Sequence, residues 1–322
     1  MQSLFIYIKD VVDMRKKKKV NKREIDKVEK VQDPNSMHIN WFPGHMKKTR
    51  ELLKENLKLV DLVVELLDSR IPYSSKNPEI DKIIEGKPKV VVLNKADLAD
   101  PQNLKLWKDY YADHNIKAVA VNTLTGEGIN ALIEECKNAT KEKMEALVRK
   151  GRKERPIRIM IVGVPNVGKS SIINRLTGRK SAQTGDRPGV TKGKQWVRLK
   201  GNLELLDTPG ILWPKFEDER VALNLAFTRA IKDEILDIET LALKFIEKLS
   251  KVAPEKLIER YKVEIGETPL ETMENIGRKR GCIVSKNELD YTRIANIVLN
   301  EFREGKIGKV TLEVPSDIEE KE

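Results

Sequence analysis

Three short polar segments, each placed directly after an apolar run, constrain the fold of this chain most strongly. The first is Asn94–Lys95–Ala96–Asp97, the second runs from Gly163 to Ser170, and the third from Asp207 to Gly210. The glycine-rich second segment also opens a helical stretch. Because loops at the carboxyl ends of parallel strands meet at one edge of a sheet, this arrangement predicts that the three segments share one site.

Apolar, strand-like runs alternate with helical stretches from Met37 onward, which predicts an α/β fold: a doubly wound, mostly parallel sheet covered by helices. The predicted strands are 62–67, 89–93, 118–121, 157–162, 196–199 and 203–206, and the predicted helices are 46–59, 78–85, 102–113, 129–148 and 169–177. Helical periodicity continues alone beyond residue 213, apart from one candidate strand at 309–314. We therefore expect an α/β domain over 37–213 and a smaller all-helical domain over 214–322.

Residues 1–36 differ in character from the rest. They combine a few apolar positions at helical spacing with the basic run Arg15–Lys19, so we expect a frayed helix or a disordered extension. Met37 directly precedes the Trp41–Met46 segment and is a second candidate start of translation.

The charge balance indicates a polyanionic partner. Lys and Arg number 61 against 50 Asp and Glu, a net charge of +11, and the basic residues are concentrated between Lys137 and Lys200. The two cysteines, Cys136 and Cys282, lack disulfide or metal-ligand spacing, which favours a reducing cytoplasmic compartment. No apolar stretch approaches the roughly 20 residues of a membrane span.

The segment from Gly163 to Ser170 has the pattern of a phosphate-binding loop. Its glycines let backbone N–H groups converge on phosphates at a helix N-terminus, while a lysine contacts the outer phosphates and a serine hydroxyl binds Mg²⁺. The alternative for an isolated motif of this kind is a fortuitous glycine-rich turn. The predicted phosphate contacts are Asn166, Val167, Gly168, Lys169, Ser170 and Ser171.

Two further segments would complete such a phosphate site. Asp207 could hold Mg²⁺ through water while the Gly210 N–H approaches a γ-phosphate, although alone this segment would be an ordinary Pro-Gly turn. Thr191 lies between them in sequence, where a switch threonine would bind Mg²⁺ and sense the γ-phosphate. The alternative for Thr191 is a polar surface loop.

The tetrad Asn94–Lys95–Ala96–Asp97 favours a guanine base. A carboxylate such as Asp97 accepts two hydrogen bonds from guanine N1–H and N2–H₂, a donor pair that adenine lacks. Lys95 can lie across the base plane, and Asn94 can tie this loop to the phosphate loop. Asn122 and Thr123 follow another strand and would back the base. A plain surface turn is the alternative for the tetrad.

Together these segments resemble the circularly permuted GTPases of the translation-factor class, and most closely the ribosome biogenesis GTPase A family. Three further segments carry the likeness: Trp41–Met46, Leu67–Pro72 and Arg278–Gly281. The resemblance implies a circularly permuted P-loop GTPase domain that converts GTP to GDP and phosphate. It also implies that the helical domain binds ribosomal RNA on a precursor of the large ribosomal subunit; DNA and membrane are not expected partners.

Hydrolysis needs a group to orient water, and Ile211 stands where Ras-like enzymes have a glutamine. The resemblance supplies two candidates: His45 as a water-activating imidazole, and Asn166 as a ligand for K⁺ near the phosphates. A helix-capping or packing role is the alternative for His45. The predicted catalytic residues are therefore His45, Lys169 and Thr191, with Mg²⁺ on Ser170, Thr191 and Asp207.

The circular permutation has a mechanical implication, because it places Gly210 almost directly before the helical domain. Loss of its γ-phosphate contact would pull on the linker near Trp213. A nucleotide-gated RNA-binding or scaffolding module with incidental hydrolysis is the alternative function, and Ile211 keeps it open.

Overall fold

The computed structural model describes residues 46–84, 86–178, 196–206, 218–284 and 287–319. All of them belong to one compact unit, which spans residues 39–322. The predicted extension over 1–36 and the predicted domain boundary at 213/214 lie outside the described residues, so that division stays a prediction.

A six-stranded sheet forms the centre of the described α/β part. Its strand order is β3-β2-β1-β4-β6-β5, and every pairing is parallel except that of β5 with β6. The strands are β1 (Leu62–Asp68), β2 (Lys89–Asn94), β3 (Lys117–Val121), β4 (Ile157–Gly163), β5 (Trp196–Leu199) and β6 (Leu203–Leu206). The predicted mostly parallel sheet is therefore confirmed.

Helices cover both faces of this sheet, as continuous apolar strands require. One face packs Leu53, Leu57 and Ile80 onto Val63 and Met160, and the other packs Trp107 and Tyr111 onto strand residues that include Leu67 and Val91. The helices of this part are α1 (Met46–Leu57), α2 (Pro78–Ile83), α3 (Pro101–Asp113), α4 (Ile129–Arg149) and α5 (Lys169–Thr177).

The chain from residue 218 onward is helical in its described part, as predicted. Its core contains Phe245, whose ring centroid lies 5.2 Å from that of Phe227 and 4.7 Å from that of Phe302. The helices are α6 (Glu219–Phe227), α7 (Ile238–Val252), α8 (Pro254–Tyr261), α9 (Pro269–Lys279), α10 (Tyr291–Arg303) and α11 (Ser316–Glu319). None of the described helices has the length and apolar content needed to cross a membrane.

Residues 309–314, which the sequence suggests as a strand, do not form one. Instead they run as an irregular segment, here called the C-terminal strap, across the loops that follow β1 and β2. The Val310 N–H donates to the Leu98 carbonyl at 3.0 Å, and the Leu312 N–H donates to the Arg70 carbonyl at 2.8 Å. The predicted strand is therefore wrong: Val310 and Leu312 are buried, but the backbone partners of this segment are loops and not a neighbouring strand.

Candidate functional site

The glycine-rich segment joins the end of β4 to the start of α5, which is the strand–loop–helix context of a phosphate loop. Gly168 has φ +100°, and a Cβ atom at this position would lie 2.3 Å from Asn94 Nδ2. A Cβ atom at Gly163 would lie 2.7 Å from the Leu66 carbonyl oxygen. Both positions therefore need glycine so that the loop can pass close to its neighbours.

Lys169 lies at the first position of α5, and its ammonium group folds over the loop. Its Nζ donates to the carbonyl oxygens of Gly163 at 2.8 Å and Val164 at 3.0 Å. Ser170 and Ser171 follow in the first helical turn, where backbone N–H groups are unsatisfied within the helix. This combination of a cation, hydroxyl groups and the N–H groups of the first helical turn can bind an anion.

Asn94 joins the tetrad to the phosphate loop. Its Nδ2 donates to the Val167 carbonyl at 2.7 Å, which is the contact expected from the sequence. Its Oδ1 is buried and has no hydrogen-bond partner among the described residues. An unpaired buried amide oxygen has a free-energy penalty unless something donates to it, so this atom fits a site that is completed by a ligand.

The rest of the tetrad is fixed by its backbone. Lys95 adopts φ +59°, the Ala96 N–H donates to the Val121 carbonyl at 3.1 Å, and Asp97 remains partly exposed at the loop surface. Lys95 Nζ lies 2.9 Å from Asp68 Oδ2. Burial lowers the pKa of Lys95, against the opposing effect of the Asp68 charge.

The loop after β3 lies beside α5. Asn122 Oδ1 accepts the Leu124 N–H at 2.8 Å, and Arg175 of α5 donates through Nε to the Thr123 carbonyl at 2.6 Å. The side chain of Asn122 is therefore used to shape its own loop.

Asp68 and Arg70, which sequence reasoning left out of the predicted site, lie against Lys95 of the tetrad. The sequence contained a signal, because an aspartate and an arginine follow a fully apolar strand, but it could equally indicate a structural salt bridge. In the structure Arg70 Nη2 lies 2.8 Å from Asp68 Oδ2, and both side chains are buried. Burial alone would raise the pKa of Asp68, but Arg70 and Lys95 outweigh it and hold that pKa well below its usual range.

The nucleotide loops and the helical part line a common pocket of about 390 Å³. Its walls are Arg70, Lys95, Asn166, Thr228, Arg229, Asn300, Arg303 and Glu304. Asn166, at φ +56°, donates through Nδ2 to the Arg229 carbonyl at 2.5 Å. The helical part thus reaches the phosphate loop directly.

Several predicted site residues lie outside the described residues: His45, Thr191, Asp207 and Gly210, together with Ile211. Of the predicted Mg²⁺ ligands, Ser170 alone is described, and its hydroxyl at the start of α5 beside Lys169 fits an ion bound to phosphate. Within the described ranges, no cluster of three or more His, Cys, Asp or Glu side chains could hold a metal. The structure places the tetrad and the loop after β3 next to the glycine-rich loop and its helix.

Residues 158–276 match the family described as "50S ribosome-binding GTPase". The Ribosome biogenesis GTPase A of Bacillus cereus is 48% identical over 285 residues, which cover 88% of this chain and 96% of that protein. The Ribosome biogenesis GTPase A of Thermotoga maritima is 30% identical over 280 residues, covering 87% of this chain and 96% of that protein.

Two solved structures share the fold along their whole length. GNP-bound YlqF from T. maritima is 28% identical with a TM-score of 0.59, and the match covers 84% of this chain and 100% of that one. The GDP-bound form of the T. maritima protein has the same identity, 28%, and the same TM-score, 0.59, over 83% of this chain and 100% of its own. Both neighbours were solved with a guanine nucleotide.

Proposed function

This chain belongs to the ribosome biogenesis GTPase A family, and we propose that it acts as a GTP-hydrolysing switch on precursors of the large ribosomal subunit. It is a P-loop GTPase that binds GTP and hydrolyses it in ribosome biogenesis. The observation that best supports the proposed site is the 2.7 Å hydrogen bond from Asn94 to Val167, because it joins the base-reading loop to the phosphate loop.

We propose that Asp97 reads guanine, that Lys95 lies against the base, and that the loop after β3 backs it. Gly168 and the N-terminus of α5 would hold the phosphates, with Lys169 moving from its loop carbonyls to the outer phosphates. The exchange is favourable because a phosphate is a stronger partner for an ammonium group than two neutral carbonyls.

Two cations would assist. Ser170, Thr191 and Asp207 would hold Mg²⁺, which neutralises charge on the phosphates. Asn166 would coordinate K⁺ through its amide oxygen. The hydrogen bond from Asn166 Nδ2 to the Arg229 carbonyl supports this role, because it orients the amide and uses its donor side, so the oxygen is the atom that can face a cation.

His45 is the proposed water-activating group, since Ile211 cannot hydrogen-bond water. Gly210 would sense the γ-phosphate and transmit its loss to the helical part. The helical part would anchor the protein on ribosomal RNA in the cytoplasm. Arg278 and Lys279 are exposed and could contact phosphates, whereas Arg280 is already engaged by Glu301 at 3.3 Å and by the Tyr261 ring at 5.1 Å.

Steady-state GTP hydrolysis, measured with and without purified large-subunit precursors, tests the proposal. A ribosome-dependent switch should be stimulated strongly by the precursor and not by mature small subunits. Exchange of K⁺ for Na⁺ at constant ionic strength should lower the stimulated rate if Asn166 binds K⁺. His45→Ala should bind GTP normally and lose the stimulation. Equal hydrolysis rates with and without precursor, in K⁺ and Na⁺, and in wild type and variant would instead favour a scaffold with incidental hydrolysis.

A further inference from the structure

A buried carboxylate holds the lysine of the guanine tetrad in place. Asp68 ends β1, and both of its oxygens are used: Oδ1 accepts from the Arg70 Nε at 2.9 Å, and Oδ2 accepts from Arg70 Nη2 at 2.8 Å and from Lys95 Nζ at 2.9 Å. The Arg70 N–H adds a further bond to Oδ1 at 3.1 Å. The Lys95 ammonium therefore sits on a carboxylate that is itself fixed.

Arg70 connects this carboxylate to the C-terminal helices. Its side chain is 1% exposed, and its guanidinium carbon lies 4.9 Å from the centre of the Phe302 ring. Its Nη1 lies 3.5 Å from the carbonyl oxygens of Phe302 and Arg303, which are the last residues of α10. The C-terminus of a helix carries partial negative charge, so the end of α10 attracts the Arg70 guanidinium group electrostatically.

The end of α10 is in turn fixed to α6 and the turn that follows it. Arg303 donates to the carbonyl oxygens of Phe227 at 2.9 Å and Ala226 at 3.0 Å. Both outer nitrogens of Arg303 also lie 2.8 Å from the carboxylate of Asp233. A continuous series of hydrogen bonds and ion pairs therefore connects Lys95, through Asp68 and Arg70, to the helical part.

We propose that Asp68 and Arg70 are positioning residues for nucleotide binding, and that they couple occupancy of the guanine site to docking of α10. A buried ion network of this kind adds little net stability, because desolvation of the charges offsets their attraction. The network does fix the direction of the long, flexible Lys95 side chain, which would otherwise become ordered only when the base binds. The inference rests on the proposed assignment of Lys95 to the guanine site.

Coupling between two sites is reciprocal. If α10 holds Arg70, Arg70 holds Asp68 and Asp68 holds Lys95, then bound nucleotide should in turn strengthen the docking of α10. This linkage separates the proposal from a purely structural salt bridge, which would contribute to folding and leave nucleotide affinity unchanged.

The same strand supplies a matched control. Asp61, directly before β1, is also buried and is also bound by one arginine and one lysine: Arg155 at 2.7 Å and 2.9 Å, and Lys143 at 2.7 Å. It lies at the opposite end of the strand from the nucleotide loops. Asp61→Asn and Asp68→Asn therefore each remove the charge of one buried carboxylate that is bound by an arginine and a lysine, with more exposed partners at Asp61 than at Asp68.

The first experiment measures GDP affinity by calorimetry and melting temperature in wild type and both variants. Both variants should melt at lower temperature, but Asp68→Asn alone should weaken GDP binding, by about tenfold, the size expected for losing a charged hydrogen bond. Its KM for GTP should rise while kcat stays unchanged, because Lys95 contacts the nucleoside equally before and during hydrolysis. Wild-type affinity in Asp68→Asn, or an equal loss in Asp61→Asn, would overturn the proposal.

The second experiment follows amide hydrogen exchange in the last two turns of α10, with and without GDP. Wild type should show slower exchange there when GDP is bound. Arg70→Lys, which keeps the charge but loses the two-pronged contact to Asp68, should lose this effect. Absence of the effect in wild type that does bind GDP would refute the coupling even if Asp68→Asn did not fold. Wild type that bound no GDP would instead refute the nucleotide site itself.

Discussion

A single carboxylate, that of Asp97, should decide which purine this protein accepts. Its replacement by asparagine keeps one acceptor for N1–H but presents N–H₂ where guanine has a donor. Xanthine has a carbonyl at that position, so Asp97→Asn should lose GDP affinity by more than a hundredfold and prefer xanthosine diphosphate. Calorimetry with both nucleotides measures this exchange of preference.

Asp100→Asn serves as the control for that substitution. Asp100 carries the same charge three residues further on, but its carboxylate caps α3 by accepting the Gln102 and Asn103 N–H groups at 3.0 Å and 2.9 Å. Asparagine caps helices equally well. Its nucleotide preference should match wild type; a switch towards xanthosine in Asp100→Asn would show that charge alone, and not base contact, controls the choice.

Glu313 should make stability depend on pH in the neutral range. Burial raises the pKa of this carboxyl from 4.5 to about 7, although Ser74 and Asn224 donate to it. A carboxyl with a raised native pKa contributes stability that is present below about pH 4.5 and is lost as pH rises through about 7. From pH 5 to pH 8 the wild type should lose up to about 3 kcal/mol relative to Glu313→Gln.

Denaturant unfolding of both proteins at several pH values measures this difference, and titrations elsewhere in the chain cancel in the comparison. Parallel stability curves for wild type and Glu313→Gln would contradict the raised pKa.

Residue roles were predictable where the partner follows from a local pattern. The tie from Asn94 to the phosphate loop could be anticipated because both segments belong to one recognisable set. The partners of Glu313 and Arg70 could not, since Ser74 lies 239 positions from Glu313 and Phe302 lies 232 positions from Arg70. No local periodicity carries information on contacts of that separation. The predicted roles of His45, Thr191 and Asp207 stay predictions.

At the scale of elements, the apolar pattern placed the ends of the strands within one residue, because each β-strand is a short apolar run that ends at a polar loop. The helices agree less well at their ends. The helix predicted over 78–85 ends at Ile83, and the helix predicted over 46–59 ends at Leu57. The strap was misassigned because a buried segment can have the same apolar pattern whether its backbone pairs with a strand or with loops.

Helix α8 ends on a residue whose backbone conformation suits glycine. Lys262 is exposed and adopts φ +55°, ψ +45°, the left-handed conformation, with its N–H donating to the Ile258 carbonyl at 2.9 Å. Lys262→Gly should therefore raise the free energy of unfolding by about 0.5–1 kcal/mol. Lys262→Ala removes the same side chain and keeps the strain, so equal stability of the two variants would argue against the conformational explanation.

For the molecule as a whole, the strap is the tie whose removal should matter most. It buries Val310, Leu312 and Glu313, and the Glu313 carbonyl accepts the Trp107 Nε1–H at 3.0 Å. Loss of two buried aliphatic side chains and of this bond should lower stability by about 4 kcal/mol or more. A chain ending at Gly308 should therefore melt well below wild type.

A chain ending at Glu319 is the control for that truncation, because it removes only the last three residues and keeps the strap. It should melt like wild type in a scanning calorimeter. Equal melting of both truncated chains would show that the strap adds no stability.

The central place of β1 in the sheet has a consequence for synthesis. As the nascent chain leaves the translating ribosome, β1 can pair with β2, and β2 with β3, early, but the other edge of β1 has no neighbour until β4 emerges. An open apolar edge on a growing polypeptide invites misassociation. During synthesis β1, β2 and β3, which precede the base-reading loops, can therefore form before β4, β5 and β6 emerge. The edge of β1 that later pairs with β4 stays exposed in this interval, so chaperones should bind β1 early.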